Sequence, residues 1–284
     1  MITCNLMGGL GNQIFQIFAT ISYSIKSKNQ IKFLKLEKLG GGTTTVRYTF
    51  WETFFVNLKL FLITELPQPF HIIKETDFTY NELPICEMID TNIMLNGYFQ
   101  SYKYFEENYK TICRIIGLDK MKDTLLFNNG LEEDYLENTI SMHFRIGDYK
   151  KIQDYHPLAT YNYYKNALDY IQNIDMKCNF NVIFFCEDND IDDVLININK
   201  LKEQFSNYEF IRGNNNLADW EQMLFMSCCH HNIIANSSFS WWSAYFNSWK
   251  DKIVCYPSVW FGLKTNNNTK DLCPPEWIKI EVQN

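Results

Sequence analysis

The segment Asn181-Val182-Ile183-Phe184-Phe185-Cys186 decides the fold, because it is a short apolar run between two stretches predicted to be helical. Such a run, without polar alternation, is typical of a strand buried on both faces of a parallel sheet. Over 161–171 the apolar residues recur at three- and four-residue spacing, which predicts a helix, and 194–205 is predicted to be helical as well. Helices alternating with a buried strand predict an α/β fold with a parallel sheet covered on both faces.

The same alternation continues through the rest of the C-terminal half. Further strands are predicted at 140–145, 208–212 and 232–235, and further helices from Asp219, with Gln222 at the capping-box position, and over 240–249.

The N-terminal half opens with a predicted strand over 2–7, a glycine loop and a predicted helix over 14–27. Residues 50–130 are predicted to be irregular, since they hold most of the prolines. The change of pattern places a domain boundary near residue 130, which divides the chain into 1–130 and 131–284.

Composition excludes several classes of protein. The 284 residues are 46% hydrophobic and 21% charged, as in globular proteins. A net charge of −7 argues against a nucleic-acid-binding protein, which is usually basic. No apolar run approaches the roughly 18 residues that span a bilayer, and the chain opens without a signal-peptide pattern. Nine cysteines without a C-x-x-C pair are predicted to be reduced thiols.

The glycine loop Gly8-Gly9-Leu10-Gly11-Asn12-Gln13 lies between a predicted strand and a predicted helix. Free amides at a helix start attract phosphate, and glycine lets them approach it closely. The loop is neither a dinucleotide fingerprint, because Ile14 replaces the third glycine, nor a P-loop, because no Lys-Ser/Thr pair follows. A phosphate contact and a simple tight turn both remain open.

The segment His143-Phe144-Arg145-Ile146-Gly147-Asp148-Tyr149 ends a predicted strand, where open α/β sheets bind ligands. Strand alternation places His143 and Arg145 on one face. Arg145 is one of only four arginines in the chain, and a guanidinium at a buried strand end requires an anionic partner. A diphosphate ligand and an internal ion pair with Asp148 are the two alternatives.

Three other polar segments have both a structural and a functional interpretation. In Asn236-Ser237-Ser238-Phe239-Ser240, the three serines either cap a helix or bind phosphate oxygens through their hydroxyls and amides. Glu187-Asp188-Asn189-Asp190 offers either a divalent-metal site through Asp188 and Asp190 or carboxylates for a ribose or a guanine edge. In Cys228-Cys229-His230-His231, neighbours on a helix would point apart, so a metal site is not predicted there.

Taken in order, four segments resemble the inverting α-1,2-fucosyltransferases of glycosyltransferase family 11. They are the glycine loop 8–13, Gly97-Tyr98-Phe99-Gln100-Ser101, the segment 143–149, and the stretch from Asp219 through Cys228, His231 and Ala235 to Trp242. Each segment is weak by itself, but four in register are specific.

The resemblance implies a GT-B-type fold with two Rossmann-like domains facing across a cleft, in which 1–130 takes the acceptor and 131–284 binds the GDP-sugar. The implied enzyme is a galactoside 2-α-L-fucosyltransferase that needs neither metal nor cofactor, and the reduced cysteines predict that it is cytoplasmic. It moves L-fucose from GDP-β-L-fucose to the 2-OH of a terminal β-galactoside with inversion. Association with a membrane where glycans are assembled is compatible with this, but no integral membrane segment and no nucleic-acid partner are expected.

The resemblance also implies roles for individual residues. Arg145 would contact the β-phosphate, His143 would lie beside the nucleotide, and Asp148 would organise their loop. The family usually has a second arginine where Ile146 stands, and alternation points position 146 away from the face of Arg145. The implied donor-binding residues are Gly9, Asn12, Gln13, Glu187, Asp188, Ser237, Ser238 and Phe239.

Two other functions stay open from the residues alone. A metal-dependent transferase of the GT-A type would use Asp188 and Asp190, and EDTA would inactivate it. A non-catalytic protein would bind glycans through the aromatic side chains, and it would not bind GDP.

Overall fold

The computed structural model describes residues 1–40, 46–85, 91–177, 179–265 and 267–282. The chain forms two compact units. An N-terminal unit comprises Met1–Lys120 with Asn267–Pro274, and a C-terminal unit comprises Met121–Asn266 with Pro275–Asn284. The division lies somewhat before residue 130, inside a helix, and a late segment rejoins the N-terminal unit.

The secondary structure of each unit is as follows. The N-terminal unit contains β1 (Ile2–Cys4), α1 (Leu10–Ser27), β2 (Phe33–Leu34), β3 (Lys38–Leu39), β4 (Arg47–Tyr48), β5 (Leu62–Ile63), β6 (Phe70–Lys74), β7 (Asn92–Asn96) and α2 (Tyr109–Ile116), and α3 (Leu118–Asn129) contains the division. The C-terminal unit contains α4 (Glu133–Leu136), β8 (Thr139–His143), α5 (Tyr161–Ile174), β9 (Asn181–Phe185), α6 (Ile191–Gln204), β10 (Glu209–Arg212), α7 (Asp219–Cys228), β11 (His231–Ile233), α8 (Ser238–Phe246), β12 (Val254–Pro257) and β13 (Ile278–Ile280).

The C-terminal unit is built on one six-stranded sheet in the order β10-β9-β8-β11-β12-β13. Every neighbouring pair is parallel. In chain order this is 3-2-1-4-5-6, the doubly wound Rossmann order. The order reverses between β8 and β11, and ligands of such sheets bind in the crevice outside the carboxyl ends of the strands at that point. The predicted α/β class is confirmed.

The core of this unit forms where α5 packs on the sheet. Tyr164, Ala167, Leu168 and Ile171, predicted as one face of the helix, are all buried. They join the apolar side chains of β8 and β9 in one cluster. Burying an apolar side chain of this size contributes about 1.5–3 kcal/mol, so the four buried residues 182–185 hold β9 firmly in the middle of the unit.

The N-terminal unit has its own parallel sheet, ordered β1-β7-β6, as the GT-B type requires of each domain. Helix α1 packs on the sheet through the predicted face, since Ile14, Ile17 and Ile21 are fully buried. The helix begins at Leu10 and not at Ile14, so four of the six glycine-loop residues belong to its start, which corrects the predicted loop. The cause is Gly8, whose φ of +77° turns the chain directly into the helix.

Two other expectations were wrong. The segment 50–130 is not irregular, because it contains β5, β6, β7 and two helices. Helix α7 does start at Asp219, but Ala218 is its N-cap, and the Glu221 carboxylate accepts a hydrogen bond of 2.9 Å from the Ala218 N–H. Gln222 instead donates to the Leu217 carbonyl at 2.9 Å. Among the described helices, none combines the length and apolarity needed to cross a membrane.

Candidate active site

The candidate site lies at the carboxyl ends of β8, β9 and β11 in the C-terminal unit. Strand β8 ends at His143, earlier than predicted, and the Phe144 N–H still donates to the Phe185 carbonyl at 2.8 Å. The Phe144 ring is buried against Tyr164, with ring centroids 4.1 Å apart. Arg145 therefore begins the loop that follows β8, at the reversal point of the sheet.

Arg145 is held by two carboxylates. One terminal nitrogen of its guanidinium lies 2.5 Å from Asp148 Oδ1, and the other contacts Glu187 Oε1. The guanidinium carbon also lies 5.1 Å from the centre of the Tyr149 ring. The internal ion pair with Asp148, one of the two predicted alternatives, is thus present, together with a second carboxylate that the sequence did not pair with Arg145.

A buried aspartate fixes the loop that carries Arg145. Asp190, 3% exposed, accepts a hydrogen bond of 2.6 Å from the Gly147 N–H and lies 3.2 Å from the Lys150 ammonium. Gly147 has a φ of +30°, and a Cβ there would lie 3.3 Å from a Glu187 carboxylate oxygen. This turn therefore favours glycine, and Asp190 is a structural residue of the loop.

His143 ends β8 as a buried imidazole. Desolvation, assisted by the charge of Arg145, lowers the pKa of His143 to about 3, so the ring is neutral at pH 7. Its Nδ1 has no hydrogen-bond partner among the residues that the structure describes, and the same holds for Oδ1 of buried Asn236, after β11. Buried polar atoms without partners are rare, so each is suited to a ligand or a water molecule.

Helix α8 follows β11 and starts two residues earlier than predicted. Ser237 is its N-cap, and the hydroxyl of Ser237 accepts a hydrogen bond of 3.3 Å from the Phe239 N–H. Ser238 is the first helical residue, and the Phe239 ring lies 5.4 Å from the His143 ring. The capping role of Ser237 is therefore present, and the helix start presents a positive dipole end beside His143.

Asp188 lies at the end of the neighbouring strand and is engaged elsewhere. Its Oδ1 accepts hydrogen bonds from the guanidinium of Arg212 and from Asn215 Nδ2, the latter at 3.2 Å. The bonds from Asn215 and Arg212 hold the pKa of Asp188 below its usual value. Asp188 and Asp190 thus have separate partners. Arg212 was not among the predicted site residues, although its position at the end of a predicted strand was a usable signal.

The predicted donor-binding residues of the N-terminal unit lie at the start of α1. Gln13 is fully buried, and its amide donates to the carbonyls of Gly8 and Tyr48 at 3.0 and 2.8 Å. Asn12 Oδ1 accepts a hydrogen bond of 2.8 Å from Gln100. A Cβ on Gly9 would meet no atom within 4 Å, so packing does not demand glycine there. Gln13 supports the loop, and Asn12 and Gly9 lie at its surface.

The His230–His231 pair lies at the amino ends of the strands, away from this site. His231 Nδ1 accepts a hydrogen bond of 3.0 Å from the Ile253 N–H, so Nε2 carries the proton and donates to Asp175 at 3.0 Å. Burial and the neighbouring His230 lower the pKa of His231 to about 4. Asp175, His230 and His231 are close enough to suggest a metal site. However, both nitrogens of His231 are already used, so the cluster is a hydrogen-bonded brace.

Known glycosyltransferases resemble this chain over nearly its whole length. The chain matches the family model for glycosyl transferase family 11 over residues 1–281. It is 27% identical to an alpha-1,2-colitosyltransferase of Escherichia coli, over 99% of each chain. It is also 27% identical to the O-antigen biosynthesis glycosyltransferase WbnK of Escherichia coli, over 99% of this chain and all of that one.

A solved glycosyl transferase family 9 protein from Veillonella parvula superposes with a TM-score of 0.47 and 12% identity, covering 99% of this chain and 85% of that one. The family model spans nearly every residue, including all four segments from which the resemblance was drawn. The chain therefore belongs to glycosyl transferase family 11.

Proposed function

We propose that this glycosyltransferase moves L-fucose from GDP-β-L-fucose to the 2-OH of a terminal β-galactoside, with inversion and without a metal. Membership of the family and relatives named as glycosyltransferases support glycosyl transfer in general. The four resembling segments support the choice of donor and linkage. The C-terminal unit would bind the donor and the N-terminal unit the acceptor, in the cytoplasm.

One observation carries the proposal: Arg145 lies at the reversal point of a Rossmann-ordered sheet, in the loop after β8. This is where sheets of this order bind nucleotides. The neighbouring strand β11 leads into α8, whose start offers amides and no acidic residue in its first turn. A guanidinium and a helix start are both suited to a diphosphate.

The chemistry follows from this placement. The bond between the anomeric carbon and the β-phosphate oxygen breaks, and its electron pair stays on the phosphate. The acceptor oxygen forms a new bond to that carbon from the opposite face, and its proton passes to a base or to the leaving phosphate. Arg145 would stabilise the charge that develops on the leaving group, and removing such a contact typically costs about 3–4 kcal/mol of barrier.

A second donor also has specific support. One relative is named an alpha-1,2-colitosyltransferase, and it aligns over 99% of each chain. Ile146, at the position of the family's second arginine, packs against the apolar core of the C-terminal unit. Its side chain is thus engaged in packing, and it does not distinguish the two sugars. Colitosyl transfer with the same linkage is therefore the alternative donor reaction.

The experiment compares several nucleotide-sugar donors and one variant, Arg145→Ala, that lacks the guanidinium. The enzyme is incubated with GDP-fucose, GDP-colitose and UDP-sugars on β-galactoside acceptors, with and without EDTA, and products are read by mass spectrometry. Arg145→Ala should lose at least about 100-fold in kcat/KM. Arg114→Ala is the control, since Arg114 is an exposed side chain on α2. Near-normal turnover by folded Arg145→Ala would overturn the assignment.

The other arms separate the alternatives. Loss of activity in EDTA would favour the metal-dependent reaction through Asp188 and Asp190. Glycan binding without GDP binding or transfer would favour the non-catalytic protein.

A further inference from the structure

The network of ion pairs around the candidate site contains more carboxylates than cations. Five carboxylates pair with three cations at the ends of β8, β9 and β10. The pairs are Arg145–Asp148, Arg145–Glu187, Lys150–Asp190, Lys150–Asp193 and Arg212–Asp188. A diphosphate that approaches Arg145 therefore meets an excess of negative charge, and one carboxylate has to give way.

Glu187 is the carboxylate that can leave most easily. Its side chain is 58% exposed, and within the described residues its one charged partner is Arg145. Asp190 is buried and bound to the Gly147 N–H, so its release would leave a buried donor unpaired. Asp148 belongs to the same short turn as Arg145. Because Glu187 belongs to another loop and is exposed, breaking its pair costs little free energy.

The released carboxylate would remain within one side-chain length of the diphosphate site, because Glu187 contacts Arg145 in this structure. In a nucleoside diphosphate, the ribose is the neighbour of the diphosphate. An ionised carboxylate only accepts hydrogen bonds, and the two ribose hydroxyls are donors at that distance. In Rossmann sheets an acidic side chain commonly binds ribose in this way.

We propose that Glu187 is an exchangeable counter-ion: it pairs with Arg145 in the empty site, yields the guanidinium to the diphosphate, and then accepts hydrogen bonds from the ribose hydroxyls. The inference rests on the proposed function, because it takes a nucleoside-diphosphate sugar as the ligand. Glu187 would therefore weaken the binding of the diphosphate, with which it competes for Arg145, and strengthen the binding of the nucleoside.

Calorimetry with three probes separates these effects: inorganic pyrophosphate, GDP and 2′,3′-dideoxy-GDP. In Glu187→Gln, pyrophosphate should bind more tightly, up to about fivefold, because a competing anion is gone. GDP should bind more weakly, by up to about tenfold, because the ribose hydroxyls lose a charged acceptor and keep only the neutral amide oxygen of Gln, a loss that exceeds the gain at the diphosphate. Dideoxy-GDP should bind less tightly than GDP in the wild type, and this difference should be smaller in the variant, as a double-mutant cycle measures.

Asp193→Asn is the matched control. Asp193 is 51% exposed and pairs with Lys150 at 2.6 Å, so this variant removes a nearby carboxylate without touching Arg145. It should change neither pyrophosphate nor GDP binding. Unchanged or weaker pyrophosphate binding in Glu187→Gln, with its melting temperature preserved, would overturn the exchange. If the wild type does not bind GDP, the proposed function fails and this inference fails with it.

Discussion

The protonation state of His143 is set by its buried position in the candidate site. It ends a central strand, it is 7% exposed, and its ring lies near the start of α8. Burial and the neighbouring Arg145 both disfavour the imidazolium and lower the pKa of His143 to about 3, so the ring is a neutral donor or acceptor at pH 7. A neutral imidazole can hydrogen-bond a nucleotide without placing a second positive charge beside the Arg145 guanidinium.

We predict that His143 makes the protein less stable on acidification. In the unfolded chain the histidine pKa is near 6.5, whereas in the fold it is about 3, so the unfolded state binds the extra proton. The stability present above pH 6.5 is therefore lost as the pH falls from there towards 3. Between pH 7 and pH 5 this contribution amounts to about 2 kcal/mol, and Gln at this position, which does not titrate, would not show it.

Urea unfolding at pH 7 and pH 5 measures this difference. His143→Gln should lose about 2 kcal/mol less than the wild type between the two pH values. His71→Gln, at an exposed position on β6, is the control and should behave as the wild type does. Equal losses in wild type and His143→Gln would show that another group governs the acid sensitivity.

At the residue scale, the sequence selected Arg145 as a candidate and predicted one of its two ion-pair partners. Strand-end position and the scarcity of arginine were enough to select it, and Asp148 was a predictable partner because it lies three residues away. Glu187 is separated from Arg145 by 42 residues. The parallel pairing of β8 with β9 brings the two residues together, and the spacing of residues along the sequence does not predict which strands pair.

At the scale of elements, the long and strongly periodic segments were predictable. The predicted starts of α5 and β9, at Tyr161 and Asn181, agree with the structure. Strand β6 was missed because it is mostly exposed and its apolar residues, Phe70, Ile72 and Ile73, do not keep to one face by strict alternation. The start of α1 was misplaced because polar Asn12 and Gln13 look like loop residues, although the fold needs them in the first turn.

The loop after β7 is held by a carboxylate from the neighbouring strand. Glu75 directly follows β6 and accepts hydrogen bonds from the Tyr98 and Phe99 N–H groups at 2.7 and 2.9 Å. Buried Phe99 has a φ of +53°, an unfavourable value for a non-glycine residue that persists only where the surroundings impose it. The loop then directs Gln100 to Asn12 at the start of α1.

We predict that Glu75→Gln weakens this loop. The amide nitrogen cannot accept from a backbone N–H, so one donor is left unpaired, and the cost should be about 1.5–3 kcal/mol of unfolding free energy. Hydrogen exchange should quicken at Tyr98 and Phe99. Asp77→Asn, two residues on and exposed, is the control and should leave the exchange of both amides as in the wild type. Unchanged exchange in Glu75→Gln would show that the loop does not depend on the carboxylate.

At the scale of the whole molecule, the two units are not successive in sequence. The segment 267–274 belongs to the N-terminal unit, although the residues on both sides of it belong to the other. Asp271 is the anchor of this segment. Its carboxylate lies 2.5 Å from the Lys103 ammonium and accepts from the Tyr80 N–H at 3.2 Å, and its carbonyl accepts from the Ser101 hydroxyl at 2.6 Å.

This anchoring predicts a long-range effect of one substitution. Asp271→Asn replaces one of two acceptor oxygens on a side chain that is only 8% exposed, so the Tyr80 N–H and the Lys103 ammonium no longer both have a carboxylate oxygen. We expect a loss of about 1–3 kcal/mol of unfolding free energy. Hydrogen exchange should quicken in 75–85 and 91–105, far away in sequence, while the strands of the C-terminal sheet keep their protection. Asp154→Asn is the matched control, because Asp154 pairs with Lys264 at 2.7 Å and is 67% exposed, where a pair contributes about 0–1 kcal/mol. Equal effects of the two variants would mean that the returning segment does not stabilise the N-terminal unit.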